Sequence, residues 1–507
     1  MKHYLYGFTI YSIQSYIFQT NKLKEIAGAS ELVEQICTTE FAEIFKKDFE
    51  GFKNDTHAIR NAAGNIRYLF DETQFELCKR VVREFPKTVL ELAPGVQIGQ
   101  AVVELDKKPE FSDFECLEEL LAAQRSNPIR PVDLGYMAIN RSRRTGLPSC
   151  EEKDKDGKPL DKATSLKLAE KSSRVSKLFF GSFFDKERIT TDVEKIVSSK
   201  NSNYSWLAVI HADGNNMGKV LKSLKNEETK ERDYTTVSKL FSQLLDLSTR
   251  EAAFKAFDKS LPPKNKVDGI IPFRPIIVGG DDLSVVCRAD LALNFTKAYL
   301  EEFKKQTEIN FTKESFTSDL KNGLTACAGI AYIKVNYPFH YAVDLAEKLC
   351  GHAKRVAKSK IKLDEPVPSC LMFHKVQDSF VEKYEDIVER ELTAEASDVR
   401  FDFGPYYLTD QNGEPTIKDL LGHVERFKGK DGNAIKSGLR QWLTLLHDDS
   451  GIATQRMNRL LSIGKESILT NLGLENKKKG VFDGKSPVYD WLTILSINQN
   501  DNNNDDN

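Results

Sequence analysis

Two stretches of this chain repeat one order of apolar and polar positions. In the first, alternation over Tyr4–Tyr11 predicts a strand, and helical spacing follows through Tyr16, Ile17, Leu32, Val33 and Ile36. Two short strands then flank Asn61-Ala62-Ala63-Gly64-Asn65, before a helix over about Phe75–Phe85 and a strand over Gly95–Leu105. The second stretch opens with a strand, Trp206–Asp213, and a long helix, about Tyr234–Phe257, whose apolar face carries Leu240, Phe241, Leu244 and Leu245. A strand ending at Val278, a Gly-Gly-Asp-Asp turn and a strand over Leu283–Cys287 come next. A helix over about Asp290–Phe303, a strand over Leu324–Ile333 and a helix over Phe339–Lys358 close the block. The order β-α-β-β-α-β is that of the ferredoxin-like split unit.

The expected fold class is therefore α+β: two ferredoxin-like domains, at 1–105 and 201–362, and a C-terminal helical domain at 363–495. Between the two lies a weaker region, 106–200, mostly helix and loop, with a Lys/Asp-rich stretch at 151–168 expected to be exposed or mobile. Gly404-Pro405-Tyr406-Tyr407 reads as a turn or short strand among the C-terminal helices, and the Asn/Asp-rich residues 496–507 read as a disordered tail.

Composition narrows the field. A formal net charge of −2 over 507 residues leaves nucleic-acid contact to local patches. No apolar run is long enough to span a membrane, and Met-Lys-His-Tyr-Leu-Tyr opens a strand rather than a signal peptide. Eight scattered cysteines without a Cys-x-x-Cys pair point to a reduced, cytoplasmic protein with no zinc ribbon.

The chemistry gathers in the second stretch. Gly and Asp are also what a tight hairpin prefers, so Gly279-Gly280-Asp281-Asp282 alone decides little. A third carboxylate, Asp213, ends the strand expected beside that hairpin, and three carboxylates on adjacent strand ends suit Mg2+ held against nucleotide phosphates. Glycines at 279 and 280 leave room for a nucleotide to approach the backbone. The loop Gly214-Asn215-Asn216-Met217-Gly218-Lys219 can offer backbone N–H groups and a lysine to phosphate. Lys354 and Lys358 share a helix face near His352 and Arg355. Candidate metal and catalytic residues are thus Asp213, Asp281 and Asp282; candidate nucleotide contacts are Gly214, Asn216, Lys219, Gly279, Gly280, Ser284, Lys354 and Lys358.

In the first stretch Ala63-Gly64-Asn65 stands where the second has Gly280-Asp281-Asp282, and Tyr11-Ser12 stands where it has Asp213. The first block therefore reads as a degenerate copy without a metal site. His447-Asp448-Asp449 reads as a solvated helix end, and Arg141, Arg143 and Arg144 as solvated surface. Neither a P-loop nor a Gly-x-Ser-x-Gly elbow is present.

At these residues the chain resembles the large palm-domain subunit of type III CRISPR effector complexes, the subunit that makes cyclic oligoadenylate. The resemblance rests on His211-Ala212-Asp213-Gly214-Asn215-Asn216-Met217-Gly218-Lys219, Gly279-Gly280-Asp281-Asp282, Ala326-Cys327-Ala328-Gly329-Ile330 and Ile13-Gln14-Ser15-Tyr16-Ile17-Phe18. It implies a degenerate and a catalytic palm, ATP as substrate, Mg2+ or Mn2+ as cofactor, a second nucleotide against the first palm, and Lys354 or Lys358 on phosphate. Partners would be other effector subunits and, through them, guide and target RNA. Three features depart from the family pattern. Asn215 stands where an aspartate is usual, no HD nuclease domain is expected before the first palm, and only Cys150 remains where a zinc insertion often lies. Two other readings are a stand-alone antiphage cyclase or oligonucleotide synthase, acting without guide RNA as a monomer or a homodimer, and a non-catalytic nucleotide-binding scaffold.

Overall fold

The computed structural model describes residues 2–47, 51–52, 55–127, 139–198, 206–229, 232–267, 269–316, 318–362, 365–377, 384–427, 430–462 and 480–498. The expected tail lies outside these residues from 499 onward; its first three positions close a helix, Val488–Asn498.

Strands β1 (His3–Tyr11), β2 (Ala58–Ala62), β3 (Asn65–Asp71) and β4 (Gln97–Leu105) form an antiparallel sheet in the order β2-β3-β1-β4. Helices α1 (Leu23–Gln35) and α2 (Phe75–Leu92) supply the crossovers. Tyr6 and Phe8 of β1 point to one face, where Phe41 and Phe85 meet them. Gly7 points to the other, against α3 (Phe111–Ser126): a Cβ there would sit 2.9 Å from a Leu117 methyl.

The stretch 151–158 is largely exposed, as expected, but 159–168 departs from expectation: it is folded and mostly buried or half-buried. Strands β5 (Ser149–Lys153) and β6 (Pro159–Asp161) form a hairpin, and α4 (Lys162–Ala169) docks on α1 so closely that Gly28 has no room for a side chain beside the Lys167 carbonyl. Its charges have partners: Lys167 donates to the Tyr16 carbonyl (2.8 Å), and Asp161 caps α4 through the Thr164 N–H (2.9 Å). Arg144 is likewise more than solvated surface, since it bridges the buried Glu25 (2.5 Å) and Asp154 (2.7 Å). The segment reads as a loop because its stability comes from pairs distant in sequence.

The second sheet contains β7 (Trp206–Gly214), β8 (Phe273–Gly279), β9 (Asp282–Arg288), β10 (Ala326–Lys334), β11 (Cys370–Lys375) and β12 (Tyr406–Tyr407), in the order β12-β11-β10-β7-β9-β8. Its core β10-β7-β9-β8 repeats the strand order of the N-terminal sheet. Between these strands run α5 (Met217–Ser223), α6 (Tyr234–Ser260) and α7 (Ala289–Lys313), and α8 (Phe339–Ser359) crosses the face that carries Gly329. Strand β11 lies in the region assigned to C-terminal helices, yet it pairs parallel to β10, with α8 as the crossover. A short apolar run such as Cys370-Leu371-Met372-Phe373 does not reveal by periodicity whether it is strand or helix.

Helices Ile417–Arg426, Lys430–Asp448, Ser450–Ser462 and Val488–Asn498 follow, with Trp491 stacked on His423 (ring centroids 4.4 Å apart). Asp449 accepts N–H bonds from Gly451 and Ile452 at a helix junction, and the His447 ring packs on Phe401. All eight cysteines are free, and no helix among the described residues is long and apolar enough to cross a membrane.

Candidate active site

Strand register brings the carboxylates together. Asp213, second from the end of β7, pairs with Asp282, the first residue of β9, and Asp282 also pairs with Gly279 across the hairpin. Residues directly opposite in a ladder share a face, so His211, Asp213, Asp282 and Ser284 all project to the side covered by α8. Asp281 sits at the tip. Gly280 there has φ +60°, a conformation glycine adopts without strain, and its carbonyl accepts a 2.5 Å bond from the buried Thr249 hydroxyl of α6.

Glycine at 214 has a steric cause. A Cβ there would lie 2.9 Å from the Asp281 Cβ and 2.9 Å from the Met217 Cε, so Asp281 occupies the space a side chain would need. Asn215 pins the loop: it is buried, its N–H donates to the Thr325 carbonyl (2.8 Å), and its side-chain amide donates to Thr325 Oγ1 and the Val367 carbonyl. An aspartate could not make these donations. Asn216 takes the left-handed conformation (φ +55°) and opens α5.

Lys354 reaches from α8 to bond the Asp213 carboxylate and, at 2.9 Å, the Gly214 carbonyl. Burial draws its ammonium pKa down, but Asp213 outweighs burial and the group ends above the ordinary lysine value. Lys358, one turn on, is exposed, and so is Lys219 on α5. Ser284 is buried beneath the carboxylates and bonds His211 Nδ1 (3.1 Å), so it supports the site from below.

Burial, then repulsion from Asp281 and Asp213, pushes the Asp282 carboxyl well above the usual range. Asp281 is raised by burial first and by Asp213 second. Burial pushes the His211 imidazole down to about 4, so it is neutral at physiological pH. Ligand atoms of His211, Asp213 and Asp282 lie within 4.8 Å of one another. Close carboxylates that resist ionising together, with one lysine between them, suit a divalent cation. The group of His211, Asp213 and Asp282 pairs two carboxylates with an imidazole and does not include Asp281; its carboxylate oxygens are donors of the kind Mg2+ or Mn2+ takes.

Two residues were not anticipated. His211 was legible in principle, since positions 211 and 213 share a strand face. Arg60, on β2, carried no signal. Its guanidinium lies 3.8 Å from the point where a Gly280 side chain would begin, and its charge lowers the Asp281 pKa against the rises above. The two hairpin tips thus meet, and a cavity opens on either side. One, about 110 Å³, is lined by Arg60, Asp246, Arg250, Gly280 and Asp281. The other, about 360 Å³, runs between Ile13, Ile17 and Gln14 of the N-terminal unit and Ile276, Val278 and Asp282 of the second sheet.

Residues 206–362 match the family model described as Cas10/Cmr2, second palm domain. A search of curated proteins returned no match. Among solved structures the chain is similar to a Csm1–Csm4 cassette in complex with AMPPNP (13% identity, TM-score 0.55), with cA3 (12%, 0.54) and with one ATP (12%, 0.52). Each of these comparisons covers 98% of this chain and 70% of that chain, and at such identities the likeness is one of fold.

Proposed function

We propose that this protein is a nucleotidyltransferase that joins ATP into oligoadenylate, cyclic in its final form, as the large subunit of a type III CRISPR effector complex. The observation that carries the reading is the convergence of Asp213, Asp281 and Asp282 on one hairpin end, beside Lys354 and opposite the Ala63-Gly64 tip of the N-terminal unit. The N-terminal unit serves as a degenerate palm, and the 360 Å³ cavity between the units receives one of two nucleotides. In this reading the domains are 1–105, 106–200, 201–362 and 363–495, and β11 of the last region pairs onto the catalytic sheet.

In the reaction a ribose hydroxyl of one nucleotide attacks the α-phosphorus of the other. A phosphodiester bond forms, the α–β phosphoanhydride breaks, pyrophosphate leaves and the hydroxyl proton passes to water. Bound Mg2+ or Mn2+ would acidify the attacking hydroxyl and stabilise charge on the leaving pyrophosphate. Asp213, Asp281 and Asp282 would hold it. Lys354 fixes the orientation of Asp213, Gly214 makes room for Asp281, and Asn215 keeps the loop from shifting. Arg60 brings positive charge from the opposite unit toward the phosphates.

The similar structures, Csm1–Csm4 cassettes in complex with AMPPNP, cA3 and ATP, support the substrate and a partner subunit. The test is ATP turnover by the assembled complex and by the isolated chain. Asp281→Ala with Asp282→Ala should abolish product while the thermal melt stays cooperative. Full synthesis by the double variant refutes the assignment, and synthesis by the isolated chain without RNA favours a stand-alone enzyme.

A further inference from the structure

The cavity at Asp281 shares a wall residue with another hollow. Arg174 lines it, and Arg174 also lines a second hollow of about 450 Å³ on the far side, with Thr38 facing the first and Thr39 the second. The second hollow is formed by Thr39, Lys171, Ser172, Arg174, Lys177 and Lys186, together with Ser173 and Phe184, and among the described residues no carboxylate lines it. Arg174 is held in place between the two. Its Nε donates to Glu34 (2.9 Å) and its backbone N–H to the buried Glu31 (2.8 Å). Lys177 leans over the Phe184 ring, 5.6 Å from its centroid, so cations, hydroxyls and an aromatic face share one concave surface. That combination is how proteins track single-stranded nucleic acid: charge follows the backbone and a ring offers a stacking face.

The cavity at Asp281, about 110 Å³, is small beside pockets of about 300–1,000 Å³ that enclose a single drug-sized ligand. An oligonucleotide made there has to extend beyond it, and each added nucleotide brings another phosphodiester charge. Resting on the function proposed above, we infer that the Lys171–Lys177–Lys186 groove binds the phosphate backbone of the growing oligoadenylate as it leaves the carboxylate site past Arg174.

The probe is a fluorescein-labelled linear tetra-adenylate, titrated into the full-length protein and followed by anisotropy. The test variant carries Lys171→Ala, Lys177→Ala and Lys186→Ala, all at exposed positions, and the control carries arginine at the same three. Wild-type binding should weaken by about tenfold between 50 and 200 mM salt, as expected for about three phosphate contacts. The alanine variant should lose about tenfold in affinity at low salt and most of the salt slope, and the arginine control should keep both. In synthesis assays the alanine variant should release shorter products. Equal probe binding by wild type and alanine variant, or none by wild type, overturns the groove. ATP turnover on the same preparations separates the two claims. Product from wild type with probe binding unchanged in the alanine variant sinks the groove alone. Groove-dependent binding with no product from any preparation upholds the groove as an oligonucleotide site and sinks the carboxylate reading.

Discussion

Ala63 and Gly280 face each other across the gap between the two hairpin tips, with the Ala63 Cβ 3.8 Å from the point where a Gly280 side chain would begin. Ala63 is at φ +50° and Gly64 at φ +73°, the two positive angles of a type I′ turn. An alanine in this region costs about 1 kcal/mol. Ala63→Gly should therefore raise unfolding stability by about 0.5–1 kcal/mol in a denaturant melt. Ala63→Trp should wedge the two tips apart and depress synthesis. An unchanged midpoint for Ala63→Gly would show that the tip is not strained.

Gly214→Ala tests the position of Asp281. The added methyl meets the Asp281 Cβ and Met217 Cε at 2.9 Å each, and the flexible Met217 can give way more readily than the hairpin. Synthesis should fall by about 100-fold, the usual consequence of displacing a reacting group by about an ångström. Stability should fall by only about 1 kcal/mol. Wild-type turnover in this variant would mean that the placement of Asp281 does not limit the reaction.

Lys354→Met removes the ammonium bonded to Asp213 and leaves the raised carboxylates without that charge. The Asp213 side chain is 36% exposed, so the loss should be only about 1 kcal/mol in stability. The sharper readout is magnesium. Added MgCl2 should stabilise the variant against heat more than it stabilises wild type. A melting temperature that magnesium moves in neither protein would count against a metal at these carboxylates.

A separate pH effect is expected in the C-terminal region. Burial raises the Asp490 carboxyl to about 8, and its Oδ2 accepts a 2.7 Å bond from Tyr406. The folded state therefore holds a proton that the unfolded chain releases near the ordinary value of 3.8. The stability this supplies is complete below that value, declines as pH rises, and is gone above about 8. Asp490→Asn keeps the acceptor and removes the titration. Between pH 5 and 8 its melting temperature should fall less steeply than that of wild type. Parallel curves would show that Asp490 is ionised in the fold.

The strand order and the carboxylate hairpin were legible because they are written locally. Short continuous apolar runs mark β7 and β9, and a Gly-Gly-Asp-Asp string between apolar runs marks the turn. What escaped depends on contacts distant in sequence. The guanidinium of Arg60 matters only because two hairpins meet, Ser284 turns out to bond His211, and β11 joins its sheet only after α8 has crossed it. Arg144 read as surface because its partner Glu25 lies on a helix 119 residues earlier. The steric role of Gly214 is likewise invisible in the sequence, because Asp281, whose Cβ would lie 2.9 Å from an added side chain, is 67 residues away.

The most direct measurement is mass spectrometry of the products formed from ATP and magnesium by the assembled complex, with pyrophosphate measured in parallel. The account predicts adenylate oligomers with one pyrophosphate released per phosphodiester bond, and neither species when Asp281 and Asp282 are both replaced by alanine. ADP and orthophosphate as the only products, or oligomers that persist in the double variant, would contradict it.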